Sequence, residues 1–436
     1  MMSSSIVGAC VALALAALLV AKATAAFPSQ FGIDFYQFWG VPLAKEVSAT
    51  PSSPYDDPQG YARVLNALSD ASSSRKFHEA NAARRNLEPM GTPFLYAAFA
   101  IFPADYDQAQ IVFASLLYLA AAAGIFVLAR LRGIVQWPAL WIAILVELTF
   151  RPFTLDVMVA NVNSLQLAFM AALLHVAVKR RYSGNALVDG LFLGFLALFV
   201  MFKPNTPWIA LAFAIHYWVT QGSRRFFAGV GVAVIFSVVA FAAGAWFFYD
   251  AGVWSEWLRY ARGMDGSGLP LTLAQGNVSL AMLWAQQSRS YGPVGYGVII
   301  ASALSLALAL AMSSGGRGAH LLGATLRRVF SDPWFAASIG VVFTFATSPL
   351  VWPHYHVLAL VPIFWLAGID GRASVGRWGA LICYVGLSEP FFNIPPAASY
   401  YVAIQAAKFF SWVALVPGVF AYVAAQHRGL QDGGAT

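Results

Sequence analysis

Apolar runs of roughly membrane-crossing length, broken by short polar and basic connections, repeat along almost the whole chain. A helix needs about 20 predominantly apolar residues to cross the ~30 Å hydrocarbon core of a bilayer. Runs near that length predict about twelve spans, near 5–26, 109–131, 135–150, 162–178, 187–202, 204–220, 226–248, 292–313, 334–350, 355–370, 376–390 and 402–425. The stretch "TPFLYAAFAIFP" at 92–103 is too short to cross and reads as re-entrant or interfacial. The expected fold class is an all-α polytopic membrane protein, a single integral-membrane domain over 1–436.

Two polar stretches are longer than connections. Residues 27–108 are rich in Ser, Asp and Asn, with a helix-like stretch at "FHEANAARRN" that predicts short amphipathic helices. Residues 249–291 carry Trp254, Trp257 and Trp284, which suit a helix lying on the interface. The two halves show no repeat, and no low-complexity linker separates a soluble domain.

Composition agrees with the pattern. Of 436 residues 59% are hydrophobic and 10% charged, with mean hydropathy +0.67. A soluble domain carries about 25% charged residues. The net charge of +7 is not a nucleic-acid footprint, because the placement of its basic residues follows membrane topology. With the N-terminus inside, the cytoplasmic connections carry Arg130, Arg132, Lys179, Arg180, Arg181, Arg224, Arg225, Arg317, Arg327, Arg328, Arg372 and Arg377, and Arg428 lies on a cytoplasmic C-terminus. The short outer connections carry only Arg151 and Lys203. "ATAA" at 23–26 fits a signal-peptide cleavage site, but "MMSSS" lacks a basic residue and Lys22 interrupts the run, which favours an uncleaved first helix.

Cys10 and Cys383 lie inside apolar runs, with neither metal-ligand nor disulfide-framework spacing. No Walker, Rossmann or HExxH pattern is present, so neither a nucleotide nor a zinc site is expected.

The polar groups expected on the outer side are Asp34, Arg151, Asp156, Asn161, Asn163, Lys203, Asn205, Asn277, His354, His356 and Glu389. Asp34, in "FGIDFYQFWG", is the candidate general base: aromatic neighbours desolvate a carboxylate, and proton abstraction benefits from that. The competing reading is a helix-end acid in an aromatic belt. Lys203, in "MFKPNTP", sits where Pro204 and Pro207 interrupt a helix, a place suited to a phosphate, or to a lysine that snorkels. Arg151 either holds a phosphate through two hydrogen bonds or neutralises Glu147 one turn earlier. In "SPLVWPHYHVLAL" the spacing of His354 and His356 puts them on different helix faces, which disfavours a shared metal. One would donate to a phosphate while the other packs, with packing of both as the alternative. Asn277 precedes an apolar run, where Ser279 suits a helix cap; Asn277 is also a candidate for a sugar hydroxyl.

Several stretches together resemble family 87 of the glycosyltransferases. "GIDFYQFW", "SPYDDP" and "GTPFLYAAFAIF" look like its opening. "VANVNSLQLAFMAALL", "GLFLGFLALFVMFKPNTPWIAL", "GNVSL" and "SPLVWPHYHVLALVP" are similar to its later landmarks, in the same order. The resemblance implies a GT-C bundle that uses a polyprenyl-phosphate sugar donor, with mannose or arabinofuranose the sugars implied. The acceptor is a glycolipid or polysaccharide on the extracytoplasmic face. It implies Asp34 as base on the acceptor hydroxyl, and Lys203 with His354 or His356 on the lipid phosphate. Tyr36, Trp39, Asn163 and Asn277 are candidates for sugar or acceptor contacts. The chain reads "NVNS" where the family often has Gly-Gln, a departure at Asn161 and Asn163, and beyond about 370 no motif matches. A single displacement would invert the anomeric centre. No cofactor or metal is demanded, since cations alone can stabilise a monophosphate leaving group.

Two rivals stand beside this reading. A twelve-span transporter usually shows two related halves and a site at the midplane. A non-catalytic lipid-binding partner in cell-envelope synthesis would share the fold without needing Asp34.

Overall fold

A computed structural model describes residues 4–47, 53–85, 87–180, 186–263, 277, 279, 318–348, 350–369 and 374–433. Among these residues the chain is all-helical, with one isolated bridge between Phe150 and Ser388. The expected span at 292–313, Trp284 and most of 264–291 lie outside the described residues.

The elements fall where the apolar periods placed them, but many are shorter than a span. Among the described residues, four helices are long and apolar enough to cross a membrane: Ile6–Ala26, Tyr106–Leu131, Ser223–Phe248 and Ala403–Leu430. Leu321–Phe330 and Pro333–Thr347 make a fifth if the pair, bent by 95°, is one span. Gln136–Thr149, Asn163–Lys179, Gly190–Phe202, Pro353–Ala367 and Val375–Leu387 are apolar but shorter. At 1.5 Å per residue, the 14 residues of Gln136–Thr149 reach about 21 Å. The spans expected from the sequence therefore outnumber the helices that meet the length by themselves among the described residues. Proline accounts for several of the breaks, because it lacks the N–H a helix interior needs. Pro152 starts the element after Thr149, Pro204 follows Phe202, Pro207 opens the next helix and Pro333 starts the arm beyond the 95° bend.

The first helices are α1 (Ser4–Ala26), α2 (Ile33–Val47), α3 (Pro58–Asp70), α4 (Arg75–Ala83) and α5 (Pro93–Phe99). The last four occupy the expected polar stretch, and α3, α4 and α5 start after residues that favour helix N-termini. Asp57 accepts from Gly60 N–H, Ser74 from Phe77 N–H and Thr92 from Leu95 N–H. Thr92 Oγ1 also donates to Met201 O at 2.7 Å, which ties α5 to a later helix end. Next come α6 (Tyr106–Leu131), α7 (Gln136–Thr149), α8 (Arg151–Val159), α9 (Asn163–Arg180), α10 (Ala186–Phe202), α11 (Pro207–Gln221), α12 (Ser223–Phe248) and α13 (Val253–Gly263). The remainder includes α14 (Gly318–Phe330), α15 (Pro333–Thr347), a 3-10 turn over Pro353–Ala359 and α16 (Leu360–Ala367).

An aromatic cluster locks α2 and α4 onto α6. Phe35 stacks on Phe113 with centroids 5.0 Å apart, and Tyr106 meets Trp39 at 5.0 Å and Phe77 at 5.3 Å. Such pairs contribute about 0.5–1.5 kcal/mol each beyond their area. Farther along, α11 crosses α15 at Gly340. A Cβ there would lie 2.6 Å from Ile209 Cα, so the two backbones touch only because position 340 has no side chain. Gly340→Val is expected to push them apart and destabilise the protein by about 1–3 kcal/mol, as overpacked cores do. Thermal unfolding in detergent measures this; an unchanged melting temperature would refute the crossing.

Candidate active site

Short helices end near one another, and the polar residues at their ends converge on Asp34. Gly32, with φ of 65°, makes the turn into α2, a conformation natural to glycine. Gln110 Nε2 donates to Gln30 O at 2.7 Å and steadies that entry. Asp34 then lies in the first turn of α2, its side chain 15% exposed.

Both carboxylate oxygens are engaged. Arg84 Nη2 lies 3.2 Å from Oδ1, and Asn161 Nδ2 donates to Oδ2 at 2.7 Å. His354 Nε2 is 3.7 Å from Oδ2. Arg84 closes α4, and its Nη1 also donates to Glu88 Oε2 at 3.1 Å.

Asn161 links the acid to the cation. Its Oδ1 accepts from Lys203 Nζ at 2.6 Å and from Val162 N–H at 2.7 Å. The preceding residue, Ala160, ends α8 in the left-handed region with φ of 53°. A non-glycine residue there costs on the order of 1 kcal/mol, a strain that occurs often where a side chain must be aimed. Here it turns Asn161 back toward Asp34.

Lys203 sits in the break between α10 and α11, since Pro204 stops the helix after Phe202. Besides Asn161, its ammonium donates to Asn163 Oδ1 at 2.9 Å and lies 4.5 Å from the centre of the Tyr355 ring. Asn163 in turn donates to Asp156 Oδ1 at 2.7 Å. The other Asp156 oxygen accepts from Ser164 N–H at 2.9 Å and Ser164 Oγ at 2.6 Å. Asp156 is fully buried and Lys203 is 8% exposed. Burial pushes the Asp156 carboxyl up, against the Ser164 and Asn163 hydrogen bonds and the Lys203 charge. Burial likewise pulls the Lys203 ammonium down, against the charges of Asp156 and Asp34.

The 3-10 turn separates the two histidines. His354 faces Asp34, whereas His356 donates from Nδ1 to Pro353 O at 3.1 Å and packs 4.9 Å from the Phe345 ring. Three residues per turn put i and i+2 on different sides.

Other expected site residues lie elsewhere. Tyr36 is buried and donates to Asn81 Oδ1 at 2.6 Å. Trp39 is buried and donates to Pro103 O at 2.7 Å. Phe38, one helical turn after Asp34, is the aromatic of α2 that lines a cavity. Asn277 Oδ1 accepts from Ser279 N–H at 3.1 Å and Val351 N–H at 3.0 Å, so it braces the approach to the histidine turn. Arg151 belongs to a second cluster: its Nη1 is 3.9 Å from Glu389 Oε1, to which Lys22 Nζ donates at 2.7 Å. Lys22 also donates to Leu148 O at 2.7 Å and Thr154 Oγ1 at 3.2 Å, which binds α1 to the α7–α8 break. Arg151 is therefore placed with Glu389 rather than with Asp34.

Beside Lys203 opens a cavity of about 310 Å³. Lys203, Asn205 and Tyr355 form a polar part of its lining; Phe38, Leu95, Phe202, Trp208, Trp257 and Leu350 make much of the rest apolar. Trp257 comes from α13, one of the tryptophans expected at an interface. Among the described residues, no group of three or more His, Cys, Asp or Glu is arranged to hold a metal ion.

One member of the cluster, Arg84, was hard to find beforehand. Arg84 sits in an amphipathic stretch whose sequence does not distinguish it from Arg85. Asn161 and Asp156 carried a signal, polar residues interrupting an apolar run, but nothing in that run told which of them faces Asp34. No family model matches this chain, and neither a curated protein nor a solved structure matches it.

Proposed function

We propose that this protein is a membrane glycosyltransferase resembling family 87, which moves mannose or arabinofuranose from a polyprenyl-phosphate donor to a glycolipid or polysaccharide acceptor. The observation that carries the reading is the convergence of Asp34, Asn161, His354 and Lys203 beside a largely apolar cavity. An acid, a buried cation and a lipid-compatible space are the three things such a reaction needs in one place.

In this reading the donor's isoprenoid chain enters the cavity and its phosphate meets Lys203 and His354. Asp34 removes the proton of the acceptor hydroxyl. The O–H electron pair forms the bond to the anomeric carbon, and the bond from that carbon to the phosphate oxygen breaks with its pair on the leaving phosphate. The Lys203 ammonium stabilises that growing charge in a water-poor site. Displacement from the opposite side inverts the anomeric centre. The distribution of basic residues supports an extracytoplasmic face for this chemistry.

The test is purified protein in lipid nanodiscs with polyprenyl-phosphate mannose or polyprenyl-phosphate arabinofuranose carrying an isotope-labelled sugar. The expected result is labelled sugar on a glycolipid or polysaccharide acceptor, seen by mass spectrometry. Solute counterflow without sugar transfer would overturn the reading in favour of a transporter.

Within it, the phosphate falls to Lys203 and His354, and Arg151 serves to join α1 to the α7–α8 break. Arg151→Met is then expected to lower thermal stability while turnover stays within about threefold of wild type. A loss of donor affinity as large as that of a Lys203 variant would return Arg151 to the phosphate site.

A further inference from the structure

In the arrangement observed, both oxygens of Asp34 carry a hydrogen bond, and one of those bonds comes from a guanidinium. Its Oδ1 faces Arg84 Nη2 at 3.2 Å, and its Oδ2 accepts from Asn161. A lone pair that faces a guanidinium must be released before it can take a proton from a hydroxyl. Arg84 has a second partner within reach. Its Nη1 already lies 3.1 Å from Glu88 Oε2. The three side chains keep some exposure, 15% for Asp34, 21% for Arg84 and 29% for Glu88, so a guanidinium has room to turn and a hydroxyl room to approach. Neither Arg84 nor Glu88 is held inside a helix: one caps α4 and the other lies in the irregular stretch after it.

We propose that Arg84 is a latch on Asp34, and that Glu88 is the latch's second position. Latched, the guanidinium spans both carboxylates with one hydrogen bond to each. Open, it turns onto Glu88 alone, where the guanidinium fork can make two parallel bonds to one carboxylate. The number of charge-assisted hydrogen bonds is the same in both, so the exchange is inexpensive. Glu88 gains by it: burial pushes its carboxyl up, the Arg84 charge pulls it down, and the Asp34 charge beside it pushes it up again. Moving the guanidinium fully onto Glu88 strengthens the one favourable influence. The acceptor hydroxyl then takes the place of Nη2 at Asp34 Oδ1, and its proton passes to that oxygen. Arg84 is thus a positioning residue that keeps the base covered until an acceptor arrives.

The kinetic consequence rests on the glycosyl-transfer reading; the pairing itself does not. Glu88→Gln removes the charge that draws Arg84 away and strands it on Asp34. Its kcat is expected to fall about tenfold with the acceptor KM within about twofold. Glu88→Asp keeps the charge and is expected to retain most of kcat. Adding Arg84→Met to Glu88→Gln removes the latch and is expected to restore most of the lost rate. A purely structural role predicts the reverse, a double variant no faster than Glu88→Gln, and that result would overturn the latch. A second readout needs no turnover: labelling of carboxyls by a water-soluble carbodiimide and an amine, with Asp34 followed in its peptide by mass spectrometry. Labelling of Asp34 is expected to fall about threefold in Glu88→Gln and to rise above wild type in the double variant. Equal labelling in all forms rejects the latch. Labelling as expected from a protein that transfers no sugar keeps the latch and rejects the glycosyltransferase reading.

Discussion

Asp34→Asn is expected to abolish measurable sugar transfer while the protein still folds and binds donor. A positioned general base contributes about 10²- to 10⁴-fold, and an amide cannot take the acceptor's proton. The substitution is nearly isosteric. An Asn oxygen can still accept from Asn161 Nδ2, whereas its NH₂ would face Arg84 where Oδ1 now stands. The folding cost is therefore that of one charge-assisted hydrogen bond, about 1.5–3 kcal/mol, at a side chain that keeps contact with water. The aromatic packing of Phe35 on Phe113 lies on a different face of α2 and is untouched. Two measurements separate the roles: initial rates with a polyprenyl-phosphate sugar, and donor-induced shift of the melting temperature. Near-normal turnover would remove Asp34 as base. Loss of both rate and donor shift would make it a structural or donor-binding group instead.

Lys203→Met should damage both stability and donor binding, for two separable reasons. The ammonium is 8% exposed and holds the side chains of Asn161 and Asn163, the second of which holds the fully buried Asp156. Removing a buried charge from such a network leaves the opposite charge uncompensated, which costs about 3–5 kcal/mol. Methionine is close to lysine in size but carries no charge, so the loss, which includes the ammonium's contact with the Tyr355 ring, reports mainly charge rather than volume. Adding Asp156→Asn removes the stranded carboxylate, and much of the lost stability is expected to return. Donor affinity is not expected to return with it, because the leaving phosphate still lacks its cation. The double variant therefore tells the structural role from the binding role. Recovery of both stability and donor affinity would assign Lys203 to the fold alone.

The apolar periods located the helices well, because helix formation inside a membrane needs only a local run of apolar residues and its own backbone hydrogen bonds. Among the described residues, fewer helices reach the full spanning length than the twelve runs expected, because a run's length does not reveal where proline divides it. Thr149, Phe202 and the 95° bend before Pro333 end helices short of what a bilayer requires of one segment. Those same interruptions bring polar side chains inward, so the places where the span count was least certain became the candidate site.

Residue types at single positions were legible in the same uneven way. Asp34 and Lys203 stood out because a charge inside an aromatic or apolar run is costly and is kept for a reason. Tyr36 and Trp39 were attractive for a sugar; in the structure both are buried, with hydrogen bonds to Asn81 and Pro103. Phe38 reaches the cavity because four residues bring a side chain back to the same helix face.

By itself, then, the sequence determined an all-helical chain with membrane-length apolar helices, the polar stretches between them, and the charged residues most in need of explanation. Those properties are local, written in runs of about twenty residues or fewer. Only the tertiary structure decided which charges meet. Asp34 reaches Arg84 across 50 positions and Asn161 across 127, while Arg151 goes to Glu389. Such pairings follow from how helix ends pack against one another in space. No spacing along a single chain encodes that, and so "FGIDFYQFWG" announced an acid without revealing the guanidinium that covers it.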